Sequence, residues 1–169
     1  NIIEKELSEN NSIVSIGRLT KQKNFNFLID SFFIIQKKYK NLNLFILGEG
    51  EERKNLENKI KKINLSKKIF LVGHKKNIYD YLKKSKIFVL SSLWEDPGFV
   101  LLEAGYLNKI IFSSDCPNGP IEILNNGENG FLYKSNSIDS FVENFEKLIN
   151  CNKTEIYKKK LKLKIKCKE

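Results

Sequence analysis

Two carboxylates, Glu95 and Glu103, frame the stretch of this chain best suited to chemistry, Ser91-Ser92-Leu93-Trp94-Glu95-Asp96-Pro97-Gly98-Phe99-Val100-Leu101-Leu102-Glu103-Ala104. Glu95 falls in a loop after a strand-like run, Ile87-Phe88-Val89-Leu90, and Glu103 sits in an otherwise apolar segment. Pro97 reads as the first residue of a helix, where its missing N–H costs nothing, with Asp96 as N-cap. The amides of Gly98, Phe99 and Val100 are then unpaired at a helix N-terminus, which makes a ready anion site. Glu103 lies about one and a half turns further in. A carboxylate in apolar company needs hydrogen-bond donors, and the hydroxyls of a sugar or ribose would supply them. The plainer alternative is that Glu95 and Asp96 are solvated loop charges and Glu103 pairs locally.

Three further loops carry groups of the same kind. Gly17-Arg18-Leu19-Thr20-Lys21-Gln22-Lys23-Asn24 follows the strand-like run Ile13–Ile16. Arg18 offers a planar fork suited to phosphate and Lys23 a mobile point charge, so the two can converge on one anion. Gly48-Glu49-Gly50-Glu51-Glu52-Arg53 has glycines that permit close backbone approach, but it lacks the spacing of a dinucleotide fingerprint. Arg53 is expected to pair with glutamates on its own helix. Gly73-His74 ends a third loop; His74 is the only histidine, which excludes a multi-histidine metal site.

The elements that must position these loops alternate regularly. Strand-like runs are expected at Ile13–Ile16, Leu42–Leu47, Ile69–Val72, Ile87–Leu90, Ile110–Ser113 and Gly130–Tyr133. Helical patterns lie between and after them, at Asn24–Lys38, Glu51–Lys62, Ile78–Lys84, Gly98–Tyr106, Pro120–Leu124 and Ile138–Ile149. Runs without polar alternation, such as Leu44-Phe45-Ile46-Leu47, predict strands covered on both faces. The repeated strand–helix–strand order predicts an α/β fold, a doubly wound and mostly parallel sheet. Ligands on such sheets bind beyond the carboxyl ends of the strands, which is where all these loops fall.

Composition narrows the function classes. A formal charge of +10 invites a nucleic-acid reading. However, the lysines are spread along the whole length, only Arg18 and Arg53 are arginines, and no nucleic-acid motif accompanies them. Lysine, asparagine and isoleucine enrichment fits a coding bias, so no nucleic-acid partner is expected. Cys116, Cys151 and Cys167 form neither a metal spacing nor an even disulfide framework. No run reaches transmembrane length. The chain contains no methionine, which leads us to expect an excised domain of a longer protein. Residues 1–11 read as a linker remnant, 12–150 as a single Rossmann-like α/β domain and 151–169 as a basic tail. The tail alternates Lys with Leu and Ile, compatible with a frayed helix, an edge strand or a membrane-surface contact, and a weakly ordered segment is expected.

Taken together the motifs resemble those of retaining GT-B glycosyltransferases of family 4, also called group 1. Glu95 and Glu103 match the E-x7-E motif, and Gly17-Arg18-Leu19 with Lys23 matches G-R-L-x-x-x-K. Gly48 to Arg53 matches G-x-G-x-x-x-R, and Asp115-Cys116 through Leu132 resembles the ending found in members that build lipid-linked glycans and surface polysaccharides. The resemblance spans about Ile13 to Ile149. It implies the carboxyl-terminal, Rossmann-like half of a GT-B fold, with a nucleotide-sugar donor of the UDP-sugar type, carrying a hexose or N-acetylhexosamine, and an acceptor domain elsewhere. By the same resemblance Arg18 and Lys23 hold the donor diphosphate, Glu95 the donor-sugar hydroxyls and Glu103 the ribose. Gly17, Gly48 and His74 lie against the nucleotide, and the amides of Gly98, Phe99 and Val100 assist the phosphates. No metal and no cofactor are implied. A cytoplasmic location, with peripheral contact at the inner face of the membrane, is expected of the full-length enzyme. A GT-B nucleotide-sugar epimerase and a non-catalytic nucleotide-sugar-binding fragment are the competing readings.

Overall fold

The computed structural model describes residues 6–8 and 11–168. Six strands form one sheet: β1 (Ser12–Ile16), β2 (Asn43–Leu47), β3 (Ile69–Gly73), β4 (Ile87–Leu90), β5 (Ile110–Ser114) and β6 (Phe131–Tyr133). Their order is β3-β2-β1-β4-β5-β6, and every pair of neighbouring strands is parallel. Helices α1 (Phe25–Lys38), α2 (Arg53–Lys62), α3 (Tyr79–Lys83), α4 (Phe99–Tyr106), α5 (Pro120–Ile123), α6 (Ile138–Asn150) and α7 (Lys153–Lys166) complete the fold. The expected doubly wound sheet is therefore present, and in the described residues it is parallel throughout.

The sequence order of the strands reverses between β1 and β4, which pair through Ile13 with Ile87 and Val14 with Phe88. This is the topological switch point, where the loops leaving the two strands part and open a crevice.

Period-two alternation sends side chains to opposite faces of the sheet. Ile13, Leu44, Ile46, Ile87, Val89 and Phe112 join one core, under α1 and α6. Val14, Phe45, Phe88 and Ile111 join the other, with Leu101 and Ala104 of α4 and Leu163 of α7. The first core is aromatic: Phe112 packs at 4.9 Å from Phe141 and 4.7 Å from Tyr133, ring centre to ring centre. Burying both faces explains why the strands carry nearly unbroken apolar runs.

Two expectations need correction. The helix after β4 begins at Phe99 and not at Pro97, because Gly98 takes φ 81° at its N-cap position and turns the chain there. Asp96 consequently caps nothing. The basic tail is also ordered over most of its length. It forms α7, whose N-cap Asn152 accepts a hydrogen bond from the Glu155 amide, and Leu163 is fully buried against α4. An added Cβ on Gly105 of α4 would lie 2.6 Å from Leu163 Cγ, so the two helices approach closely. The proposed linker remnant lies largely outside the described residues, although Leu7 is buried in the second core.

Candidate functional site

The carboxyl ends of β1 and β4 feed the two loops that meet at the switch point. They are stitched together by the Leu93 amide on the Gln22 carbonyl (2.8 Å), Gln22 Nε2 on the Trp94 carbonyl (2.9 Å) and Ser91 Oγ on the Lys23 carbonyl (2.7 Å). The short helical turn Lys21–Lys23 then aims the Lys23 side chain across the gap. Its Nζ lies 2.6 Å from Glu95 Oε1. The same oxygen accepts a hydrogen bond from Ser92 Oγ. Glu95 is only 4% exposed and Ser92 is fully buried. Both contacts converge on Oε1, so Oε2 keeps its acceptor capacity for a ligand.

Glu95 is held from several sides. Its amide bonds the Pro117 carbonyl at 3.1 Å, and Gly98 presses its backbone against the Glu95 side chain, where an added Cβ would lie 3.4 Å from Cβ and Cγ. Ser114 Oγ holds the Ser92 carbonyl at 2.8 Å, and Tyr133 Oη holds the Leu90 carbonyl at 2.7 Å. The loop after β4 therefore hangs from β5 and β6 by buried hydroxyls, which fixes the carboxylate before any ligand arrives. Beneath it, burial pushes the Cys116 thiol above its ordinary pKa, with the charge of Glu95 acting in the same direction. Cys116 is thus held as a neutral thiol.

Beside this pair lies a cleft of about 310 Å³ across the ends of β1, β2 and β3. Ile16, Leu47 and Ile78 give it apolar lining, while Gly17, Gly48, Arg18 and His74 line it with backbone and with nitrogen donors. Gly48 adopts φ 145°, and an added Cβ would sit 1.9 Å from the Gly17 carbonyl oxygen, so only glycine fits. Arg18 and His74 are exposed, and neither has a partner among the described residues. Glu49, also at the cleft, is engaged by Arg53 at 2.6 Å, and Arg53 bonds Glu57 at 2.8 Å as expected. With that carboxylate engaged, Arg18 and Lys75, neither with a partner among the described residues, are the cations of the cleft wall. Gly17 joins the two parts of the site. It lines the cleft, and the Lys23 methylenes pass 3.1 Å from where its Cβ would be.

The structure therefore gathers Gly17, Arg18, Gly48 and His74 in one cleft, and Lys23, Glu95 and Gly98 in an adjoining cluster. Phe99, Val100 and Glu103 stand on the first turns of α4. Phe99 is 67% exposed, while Val100 and Glu103 are half-buried, Glu103 with no partner for its carboxylate among the described residues. Ser92, Ile16, Leu47 and Ile78 were not singled out from the sequence. The Ser92–Glu95 spacing of three residues was the one local signal that could have found the first. Another hollow, of about 400 Å³ beside the outer strand β3, lacks this convergence of glycines and an unpaired arginine.

A positively lined cleft with apolar walls, next to a fixed carboxylate at a switch point, is built for an anionic ligand that carries a flat apolar group and hydroxyls. Comparison with known proteins gives the family. A family model described as glycosyl transferases group 1 matches residues 2–164. The chain belongs to that family. A glycosyltransferase of Methanocaldococcus jannaschii is 47% identical over 111 residues, 66% of this chain and 27% of that protein. The UDP-Gal:alpha-D-GlcNAc-diphosphoundecaprenol alpha-1,3-galactosyltransferase of Escherichia coli is 35% identical over 130 residues, 75% of this chain and 33% of that protein. The solved C-terminal domain of the group 1 glycosyl transferase LpcC of Francisella tularensis superposes with a TM-score of 0.81 at 25% identity, covering 96% of this chain and 87% of that one. The group 1 chain described here spans less than half the length of the curated relatives it matches, between 27% and 42% for the leading four.

Proposed function

We propose that this chain is the carboxyl-terminal, donor-binding half of a retaining GT-B glycosyltransferase of family 4. It takes a hexose or N-acetylhexosamine from a nucleoside-diphosphate sugar, UDP in the first instance, and the whole enzyme passes it to a glycan or lipid-linked acceptor. The observation that carries this reading is the Lys23–Glu95 pair at the switch point, next to the cleft lined by Arg18. The E. coli relative is named for a UDP-sugar donor and a diphosphoundecaprenol-linked acceptor, which supports both the donor and the acceptor class.

The base occupies the cleft walled by Ile16, Leu47 and Ile78, with His74 at its mouth. Arg18 and the Lys23 ammonium receive the diphosphate, and the amides of Gly98, Phe99 and Val100 at the start of α4 assist. Glu103, half-buried and without a partner among the described residues, accepts from the ribose hydroxyls. Glu95 accepts donor-sugar hydroxyls on Oε2 and favours the positive charge that develops at the anomeric carbon. In the transfer, the bond from that carbon to the diphosphate oxygen breaks. The acceptor oxygen bonds the same face, and its proton passes to the leaving phosphate. Neutralising that leaving group is the main electrostatic demand, and Arg18 and Lys23 meet it without metal or cofactor.

An acceptor domain completes the cleft in the whole enzyme, which works in the cytoplasm at the inner face of the membrane. Because half a cleft cannot position an acceptor, the chain by itself binds donor without transferring it. Calorimetric titration with UDP, GDP and UDP-sugars tests the reading: saturable binding of one nucleotide supports it, and a folded chain that binds none contradicts it.

A further inference from the structure

Helix α7 carries two apolar stripes where a helix packed on a globular core carries one. The inner stripe is accounted for: Leu163 is fully buried, and Ile156 and Cys167 pack onto the two cores. The outer stripe is not. Tyr157, Leu161 and Ile165 recur every fourth residue, which aligns them along one face. They are 63%, 43% and 53% exposed. Nothing in the described fold touches that face in a way that would explain three large apolar groups in water.

Charge says what covers it. Lysines flank the outer stripe on both sides, Lys153 on one and Lys158 on the other, and Lys168 continues it past the end of the helix. All three are exposed and have no partner among the described residues. The one carboxylate of the helix, Glu155, lies in its first turn and on the side away from the stripe. Inner lysines are used for docking: Lys159 bonds the Gly127 carbonyl at 2.6 Å, and Lys162 pairs with Glu128 at 3.1 Å. The helix is thereby pinned from within and leaves a rigid outer surface, an aromatic and two aliphatic groups edged by unpaired ammonium groups. An apolar stripe edged by cations along one helix is the pattern of a surface that lies in a membrane interface and does not cross it.

We propose that the outer face of α7 is a docking surface for an anionic lipid bilayer, with Tyr157, Leu161 and Ile165 entering the interface and the flanking lysines meeting headgroup phosphates and carboxylates. The inference rests on α7 alone and is independent of the donor-site reading. A nucleic acid would engage the lysines without needing the apolar stripe, and a second copy of this chain would bring the same lysines into repulsion.

The test is co-sedimentation of the 169-residue chain with vesicles of phosphatidylcholine alone and of roughly two parts phosphatidylcholine to one part phosphatidylglycerol. The chain is expected to bind the mixed vesicles and not the neutral ones. The triple variant Tyr157→Ser, Leu161→Ser, Ile165→Ser is expected to weaken that binding on the order of tenfold or more, and Lys153→Gln with Lys158→Gln and Lys168→Gln by a similar factor. All six positions are exposed, so unchanged circular dichroism and UDP titration separate a lost surface from a lost fold. No binding to mixed vesicles overturns the proposal. So does binding that the apolar triple variant leaves intact, which would mean diffuse charge attraction only. So does a dimer that the same triple variant abolishes.

Discussion

Glu95 Oε1 is shared between Lys23 Nζ and Ser92 Oγ, and the lysine reaches it from a loop 72 residues away in sequence. On the proposed function, the cation assigned to the diphosphate is therefore parked on the carboxylate assigned to the sugar. When a diphosphate draws the ammonium towards itself, Ser92 still holds Glu95 in place. The pair also closes the crevice between β1 and β4, so it carries stability as well as chemistry.

Removing one partner should expose that stability. Lys23→Met leaves a nearly buried carboxylate with Ser92 alone, and is expected to cost about 1–3 kcal/mol. Adding Glu95→Gln should return part of the loss. Urea unfolding of both single variants and the double variant measures the coupling. Additive effects, within about 0.5 kcal/mol, would show that the two side chains do not act as a pair.

Ser92 should matter for the sugar and not for the nucleotide. Ser92→Ala is expected to leave UDP affinity unchanged while the extra affinity for UDP-sugar over UDP falls several-fold, with Ser92→Thr restoring it. Equal weakening of UDP and UDP-sugar would assign the hydroxyl to the loop's architecture instead.

The docking of α7 predicts a large effect from a residue in the lysine-rich tail. Leu163→Ala should cost about 3 kcal/mol, a fall in melting temperature of roughly 6–12 °C for a chain of this size. The neighbouring Leu161→Ala, on the outer face, should cost little. Similar small shifts for both would mean that the tail is frayed.

Alkaline pH should loosen the fold. Burial pushes the Tyr133 phenol well above its ordinary 10.0, and the Cys116 thiol above its ordinary 9.0. Folding keeps both protonated, so their contribution is complete below those ordinary values. It is lost as the pH rises past them, because the unfolded chain then sheds protons that the folded chain retains. Tyr133→Phe combined with Cys116→Ala should flatten the fall in unfolding free energy between roughly pH 8 and 11. An unchanged alkaline slope would contradict this account.

The strands were readable because both faces of the sheet are buried. Leu44-Phe45-Ile46-Leu47 has no polar position to blur, and β2 is buried throughout. The residue types quoted at strand ends come together in space: Arg18, Gly48 and His74 line one cleft. Three things were hidden. Pro97 signalled a helix start, but the left-handed backbone of Gly98 postponed it to Phe99. In α7 the outer apolar stripe offset the inner one, so no single greasy face marked Leu163 as a core residue. And nothing local could show that Lys23 and Glu95 meet, since only the β1–β4 crossing brings their loops together.

Titration of the chain with UDP, beside Arg18→Ala and Glu103→Ala, tests the central claim most directly. Neither side chain has a partner among the described residues, Arg18 being exposed and Glu103 half-buried, so unchanged circular dichroism of each variant is the control for folding. The account predicts saturable binding that each substitution weakens about ten- to a hundredfold, the worth of one charge-assisted hydrogen bond. Binding that both variants leave unchanged would contradict it and place the nucleotide elsewhere.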